Sequence, residues 1–388
     1  MTYTRRLYGL GAAAAVLLAP LAGAPASAAS PDPWVRAWGH NGAGQLGNGS
    51  MQDQWTPTSV TGLARDDVRE LAGGGGNAAN SFAVALLNDG TVESWGSDTN
   101  GQLGDGATTS RPHPAAVPRL SGATEIAAGV HFAYAVRGGH VLAWGDNVYG
   151  QLGNGSTTGE NRPVPAQSLS RVKDIAAGCY HALALREDGS VWTWGRNQEG
   201  QLGNGSLADR TTPQRVAGLQ DVVAVAAGCY HSLALTAEGT VKSWGNNPNG
   251  QLGNDSLIRS PVPVDVHHLE NVARIYTGPH QNFAVLDDGG VRAWGWNGSG
   301  QLGDGSTVDR TTPVPLPRLT GVTAMAGGWW HTVAVLDDQS VLAWGDNKYG
   351  QLGDGTTTPA TSPVTALPPG SGTTRVSASP AWTTSYAY

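Results

Sequence analysis

Apolar residues in this chain fall into short runs of five or six, separated by polar, glycine-rich turns, and the runs return in sets. One set shows the plan. From Asp221, Val222-Val223-Ala224-Val225-Ala226-Ala227 is β-branched and small, which predicts a buried strand. Gly228-Cys229-Tyr230 turns the chain. His231-Ser232-Leu233-Ala234-Leu235 alternates and predicts a second strand. Ala237-Glu238-Gly239 makes a hairpin turn with a glycine available for positive φ. Thr240 to Trp244 predicts a third strand, with Val241 and Ser243 on one face and Lys242 and Trp244 on the other. A long connection runs from Gly245 to Ile258. A weaker fourth strand follows around Pro261 to Val266, and its prolines fit a sheet edge. No stretch holds a 3.6-residue periodicity, so no helix is expected.

The set recurs along the whole chain. Its marker is Trp-Gly, four variable residues, then Gly-Gln-Leu-Gly. The tryptophans are Trp38, Trp95, Trp144, Trp194, Trp244, Trp294 and Trp344, spaced by 57, 49, 50, 50, 50 and 50 residues. A fixed period of this size marks a solenoid, a propeller or an array. A four-stranded antiparallel sheet cannot bury both faces alone, but it can when packed between neighbours around an axis. Trp34 to Gly39 supplies only the third strand of a set, and Arg375 to Ala378 with Thr384 to Tyr388 match the first two. The two ends therefore sum to one sheet and hide its edges. The expected fold is an all-β, seven-bladed β-propeller over residues 34–388, built of four-stranded antiparallel blades and closed by N- and C-terminal strands sharing one blade.

Arg5 and Arg6 precede an apolar run from Leu10 to Leu21, and Ala26-Ser27-Ala28 offers small residues for cleavage. Residues 1–28 thus read as a signal peptide cleaved near Ala28, with a short linker over 29–33, and predict a secreted protein. Thr4-Arg5-Arg6-Leu7-Tyr8 also fits a twin-arginine signal. The run is too short to span a membrane, so no membrane insertion is expected. Net charge is −7, and −9 without Arg5 and Arg6. No Lys/Arg cluster stands out, which argues against nucleic acid as a partner. A monomer is expected. Cys179 and Cys229 occupy the same site in consecutive repeats. They are expected as free, packed thiols, since a bridge needs their α carbons within roughly 7 Å.

The repeated residues read as framework. The Trp of each phrase supplies buried area and one N–H to satisfy. Leu of Gly-Gln-Leu-Gly plugs between blades, Gln bonds backbone of the connection, and the next residue (Asn48, Asp105, Asn154, Asn204, Asn254, Asp304 or Asp354) suits an Asx turn. His181, His231 and His331 sit one per blade at strand starts, where an imidazole can bond a backbone carbonyl. Ligands must converge on one ion, and ring-symmetric positions do not, so no metal site is expected. No Ser/His/Asp or Cys/His arrangement stands out. The strands expected to line the axis, such as Val223 to Ala227, are small and apolar, so converging acids are not expected there. The expectation is a protein that is not an enzyme and carries no cofactor.

The phrase, with Gly-x-x-His-(Ser/Ala)-Leu-Ala-Leu upstream, resembles the repeat of the regulator of chromosome condensation family. The resemblance covers Trp34 to Tyr388 and implies a seven-bladed propeller. The family's founder exchanges nucleotide on the small GTPase Ran, using a wedge-like insertion in one blade, and binds nucleosomes. Here the notable insertion is Gly73 to Asn80, which reads as a flexible loop. In Gly-x-x-His and Trp-Gly-x-Asn the chain is also similar to a secreted bacterial propeller that inhibits β-lactamases through aromatic loops on one face.

Topology localises a candidate surface. The turn before the second strand and the loop after the third lie on one face of the ring. The first set of tips includes His131, Tyr180, Tyr230, His280, Trp329, Trp330 and Trp382. The second includes His40, Tyr149, Arg196, Trp296, Lys348 and Tyr349. Side chains that vary on a fixed frame are what a binding surface shows, and Trp, Tyr and Arg dominate interface hot spots. The partner-binding residues expected are Trp329, Trp330, Trp296, Tyr180, Tyr230, His131, His280, Trp382, Tyr149 and Tyr349. The expected function is that of a secreted binding protein whose partner is a protein, for instance a β-lactamase that it inhibits. The alternatives are an exchange-factor-like regulator, as the family implies, and a cell-surface structural or adhesion module.

Overall fold

The computed structural model describes residues 33–77, 79–379 and 383–388. The expected signal peptide and its twin-arginine motif lie outside the described residues. Among the described residues there are seven four-stranded antiparallel sheets, one for each Trp-Gly phrase. The strands of the reference set run Val222–Ala227, His231–Thr236, Val241–Gly245 and Ser260–Asp265, within a residue or two of the pattern. The outer strand pairs only at its ends, Lys242 with Asp265 and Gly245 with Ser260, and bulges between them. Pro261 and Pro263 fall in that bulge, where a missing N–H costs no ladder bond.

The ring closes as expected. Trp34–Gly39 pairs with Thr384–Ala387, aligning Arg36 with Ala387 and Gly39 with Thr384, and Val376–Ala378 completes the inner edge. Blades are numbered below from this shared one, which carries Trp38, to blade 7, which carries Trp344. The expected flexible insertion is more ordered than the sequence implied. Gly73 and Gly74 extend the inner strand of blade 2 opposite Ala83 and Phe82. The turn beyond is tied by Asn80 Oδ1, which accepts the N–H groups of Gly76 and Asn77.

The core lies between blades. Leu233, Leu235 and Val241 of blade 5, for example, pack on Val272, Ile275, Ala284 and Trp294 of blade 6. The phrase holds each junction. Every Trp indole donates to the carbonyl of the Gln in the preceding blade: Trp244 to Gln201 at 2.8 Å, Trp294 to Gln251 at 3.1 Å and, across the closure, Trp38 to Gln351 at 2.9 Å. The glycine two residues after that Gln must be glycine. Gly203 has φ +67°, and a Cβ there would sit 2.8 Å from the Trp244 indole nitrogen. The Gln side chain folds back on its own loop, as Gln201 Oε1 does in accepting the Glu199 N–H at 3.0 Å. The Asn of Trp-Gly-x-Asn organises the rest. Asn197 Nδ2 donates to the Ser206 and Ala208 carbonyls, and its Oδ1 accepts the Leu202 N–H.

The two cysteines are not free. Cys179 and Cys229 form a disulfide with α carbons 4.4 Å apart, buried beside Val130. Both lie at tips that crowd the axis, where Cys179 N–H already donates to the Cys229 carbonyl. Repeat spacing hides this convergence, because the distance between equivalent residues shrinks toward the hub. The bridge closes a 50-residue loop. Changing both cysteines to serine is expected to lower unfolding free energy by about 2–4 kcal/mol. Urea denaturation with and without reductant checks this, and an unchanged midpoint would refute it.

Candidate recognition face and axial ring

The expected tips do gather on one face, and most of them touch. Ring centroids run in an unbroken arc from Tyr149 to Tyr180 (5.3 Å), Tyr230 (6.4 Å, nearly parallel), His280 (6.2 Å), Trp329 (5.0 Å) and Trp330 (6.1 Å). Trp296 meets His280 edge-on at 6.1 Å. Tyr349 joins His40 at 5.1 Å, on the far side of the closure. His131 is half-buried outside this arc, and burial holds its pKa below the usual histidine value against the pull of Asp146. Trp382 lies outside the described residues. All the aromatic members are partly buried and partly exposed. They cap the blade ends and still present a surface, so the framework and binding readings of these tips are compatible.

Inside the arc sits Arg196, expected at a tip but not in contact with three rings. The Arg196 guanidinium lies over three tyrosines, 5.3 Å from the Tyr149 centroid, 5.9 Å from Tyr180 and 4.9 Å from Tyr230. Each such contact is worth roughly 0.5–2 kcal/mol, so the four side chains form a rigid patch. Burial raises the Tyr180 hydroxyl pKa, and burial beside His231 lowers His280 to about 4. His280 is therefore neutral across the physiological range.

The three repeated histidines lie beneath the face and do not converge. Each bridges to the next blade through a side chain, not a backbone carbonyl as expected. His181 Nε2 meets Ser232 Oγ at 3.0 Å, His231 meets Asn282 Oδ1 at 2.7 Å, and His331 meets Ser385 Oγ at 2.8 Å. Those partners spend their own donors on the Gln201, Gln251 and Gln351 carbonyls. The histidine Nε2 must therefore carry the proton. Burial pushes the three pKa values down to about 3, 4 and 3. Among the described residues no group of three or more His, Cys, Asp or Glu side chains is arranged to hold a metal ion.

The axis is less apolar than the sequence implied. Near the tip face a cavity of about 210 Å³ is lined by Ala128, Ala177, Ala227 and Gly327 among others, as small inner-strand residues predict. Further along, the equivalent position in successive blades reads Glu70, Glu125, Asp174, Ala224, Arg274, Ala324 and Arg375. These are struts between inner strands. Glu70 accepts the Ile126 N–H at 3.0 Å, and Asp174 accepts that of Val225. Arg274 donates to the Val322 and Thr323 carbonyls, and Arg375 to that of Arg69. Acids take up the next strand's donors and arginines its acceptors. Burial, with Glu125 alongside, pushes the Glu70 carboxyl up to about 8. The blade of Val222–Ala227 is one of two that carry alanine at this position, Ala224 and Ala324, so its sequence does not show the ring of charges.

No helix among the described residues is long and apolar enough to cross a membrane. The chain is 34% identical over 104 residues to the ultraviolet-B receptor UVR8 of Arabidopsis thaliana, covering 26% of this chain and 22% of that protein. It is 37% identical over 70 residues to the mitochondrial RCC1 domain-containing protein RUG3 of the same plant, 18% of this chain and 15% of that one. The matched stretches thus span less than a quarter of either relative. In fold it is similar to Prp20p of Saccharomyces cerevisiae, a structure described together with its binding to Gsp1p and histones. The TM-score is 0.80 at 22% identity, over 92% of this chain and 91% of that one. These likenesses run to a receptor, a mitochondrial protein and a histone-binding protein. They overturn the expectation of a secreted protein and, with it, of a secreted β-lactamase inhibitor. Residues 160–388 match an RCC1-like domain, and residues 35–79 and 89–136 match the regulator of chromosome condensation (RCC1) repeat. With well over half its length so matched and every blade stapled by the same phrase, the chain belongs to the family of RCC1-like domains.

Proposed function

We propose that this chain is a protein-recognition propeller of the RCC1 type, which acts as a regulator by holding a partner protein against its aromatic tip face and performs no covalent chemistry itself. The observation that carries this reading is the arc from Tyr149 to Trp330, with Arg196 nested in it. It joins the residue types that dominate hot spots on one side of a rigid ring. The opposite ends of the blades carry short turns closed on themselves, as where Asp188 accepts from Ser190. The likeness to Prp20p, described with Gsp1p and histones, supports two partner classes and favours the exchange-factor alternative as a second reading.

The test uses the full chain on a biosensor against core histones and a Ran-type GTPase. Tyr230→Ala with Trp329→Ala is expected to weaken the complex at least tenfold, while Asp188→Ala on the far side leaves it unchanged. Release of fluorescent GDP from the GTPase reads the second reading directly. A complex formed equally well by the double variant would overturn the assignment of the face.

A further inference from the structure

The ring contains its own control for what an aromatic nest on this face accepts. In blade 4 the residue after Trp-Gly is Arg196. It is surrounded by Tyr149 from the loop of the preceding blade, Tyr180 from its own tip and Tyr230 from the next tip. In blade 7 the same register is filled by Asp346. Ser299 stands where Tyr149 does, and Trp330 where Tyr180 does. The third register is Thr383, which is buried and whose carbonyl accepts the His40 N–H at 3.1 Å, as the Tyr180 carbonyl accepts that of Arg196. A cavity of about 320 Å³ is lined by Ser299, Trp330, Asp346, Lys348 and Tyr349.

Three features of this cavity define its ligand. The sign at its centre is inverted relative to blade 4, because a carboxylate replaces a guanidinium. Asp346 is only partly buried, and Gln351 Nε2 orients it by donating to Oδ2 at 2.8 Å. Its walls, Trp330 and Tyr349, are of the kind that a planar cation stacks on, and Lys348 Nζ already lies 5.4 Å from the Tyr349 centroid. The chain's net charge of −7 favours a basic partner over a second copy of itself.

We propose that this cavity is an anchor pocket for an arginine side chain from a basic segment of a partner protein, stacked between Trp330 and Tyr349 and paired with Asp346. The guanidinium is preferred to an ammonium because it is planar and can bind a carboxylate through two N–H groups. Lys348 is the rim residue that a partner arginine displaces. The inference rests on the protein-binding reading above and adds the chemistry of one contact.

The probe is a fluorescein-labelled octapeptide of alternating arginine and glycine, read by anisotropy with the full chain. Matched peptides carry citrulline or lysine in place of arginine. The arginine peptide is expected to bind at least tenfold more tightly than the citrulline peptide and several-fold more tightly than the lysine peptide. Asp346→Asn and Trp330→Ala should each cost it tenfold or more, and Lys348→Ala should preserve or improve binding. Asp146→Asn, at the same register in blade 3, should change nothing. Melting temperatures are compared so that loss of fold is not read as loss of binding.

Equal affinity for arginine and citrulline peptides would overturn the pocket, as would equal loss in Asp146→Asn, which would mark a diffuse charge effect. A dimer in sedimentation velocity that Asp346→Lys dissolves would assign the cavity to a second copy and likewise overturn it. If a histone or GTPase complex depends on Trp329 but not on Asp346, the arginine pocket fails while the recognition face stands.

Discussion

Replacing Trp244 with alanine is expected to lower unfolding free energy by about 3–5 kcal/mol, the usual cost of removing a buried tryptophan. The indole is fully buried and fills the seam between blades 4 and 5. Its N–H is one of two donors on the Gln201 carbonyl, with Ser232 Oγ the other at 2.9 Å. Trp244→Phe keeps most of the ring and removes the donor. Its smaller loss, about 1–2 kcal/mol, separates packing from hydrogen bonding, because Ser232 still satisfies the carbonyl. A folded domain of ordinary stability has only about 5–15 kcal/mol in total, so the alanine variant should unfold at a much lower urea concentration. A loss below 1 kcal/mol for the alanine variant would show that the staple is dispensable.

Mild acid should destabilise the ring nearly as strongly. His181, His231 and His331 have folded pKa values of about 3, 4 and 3, against an ordinary 6.5. A lowered pKa gives stability that is fully present above pH 6.5 and is lost as pH falls toward the folded value. At pH 5 each histidine has lost roughly 2 kcal/mol, or about 6 kcal/mol for the three. Glu70 opposes this. Its carboxyl is raised to about 8, so its contribution grows as pH falls and returns roughly 2 kcal/mol over the same interval. His280, lowered to about 4, adds to the loss and Asp98, raised to about 6, opposes it, so the histidines win by a few kcal/mol between pH 6.5 and 5. Blade 6 carries the control: Gln281 occupies the histidine register and donates to the Gly328 carbonyl at 2.7 Å. His331→Gln should therefore fold and should remove about a quarter of the histidine-driven slope in urea midpoint against pH, since His280 titrates with the other three. A slope unchanged by that substitution would rule out the buried imidazoles as its source.

Seven blades, their four strands and the shared closing sheet were legible because one phrase repeats at a nearly constant interval, and because period-two alternation survives in strands as short as His231–Thr236. The face was legible from topology alone, since consecutive hairpins leave their tips on one side. Local sequence could not show what depends on distance to the axis. Cys179 and Cys229 are 50 residues apart along the chain and bonded at the hub. The struts Glu70, Asp174, Arg274 and Arg375 look like surface charges in their own strands, because their partners belong to the next blade. Arg196 was visible as a tip residue, but its position over Tyr149, Tyr180 and Tyr230 draws on three blades at once. Secretion was read from residues that say nothing about the ring, and the relatives of the ring point elsewhere.

A wheel of seven identical spokes would let any visitor land in seven equivalent poses and would fix none of them. The lopsided crescent of rings, dense from Tyr149 of blade 3 to Trp330 of blade 7 and giving way to Ser81 and Ser97 in blade 2, breaks that rotational degeneracy. A partner gripping the crescent has one azimuth available, so a near-symmetric frame can deliver a single defined complex.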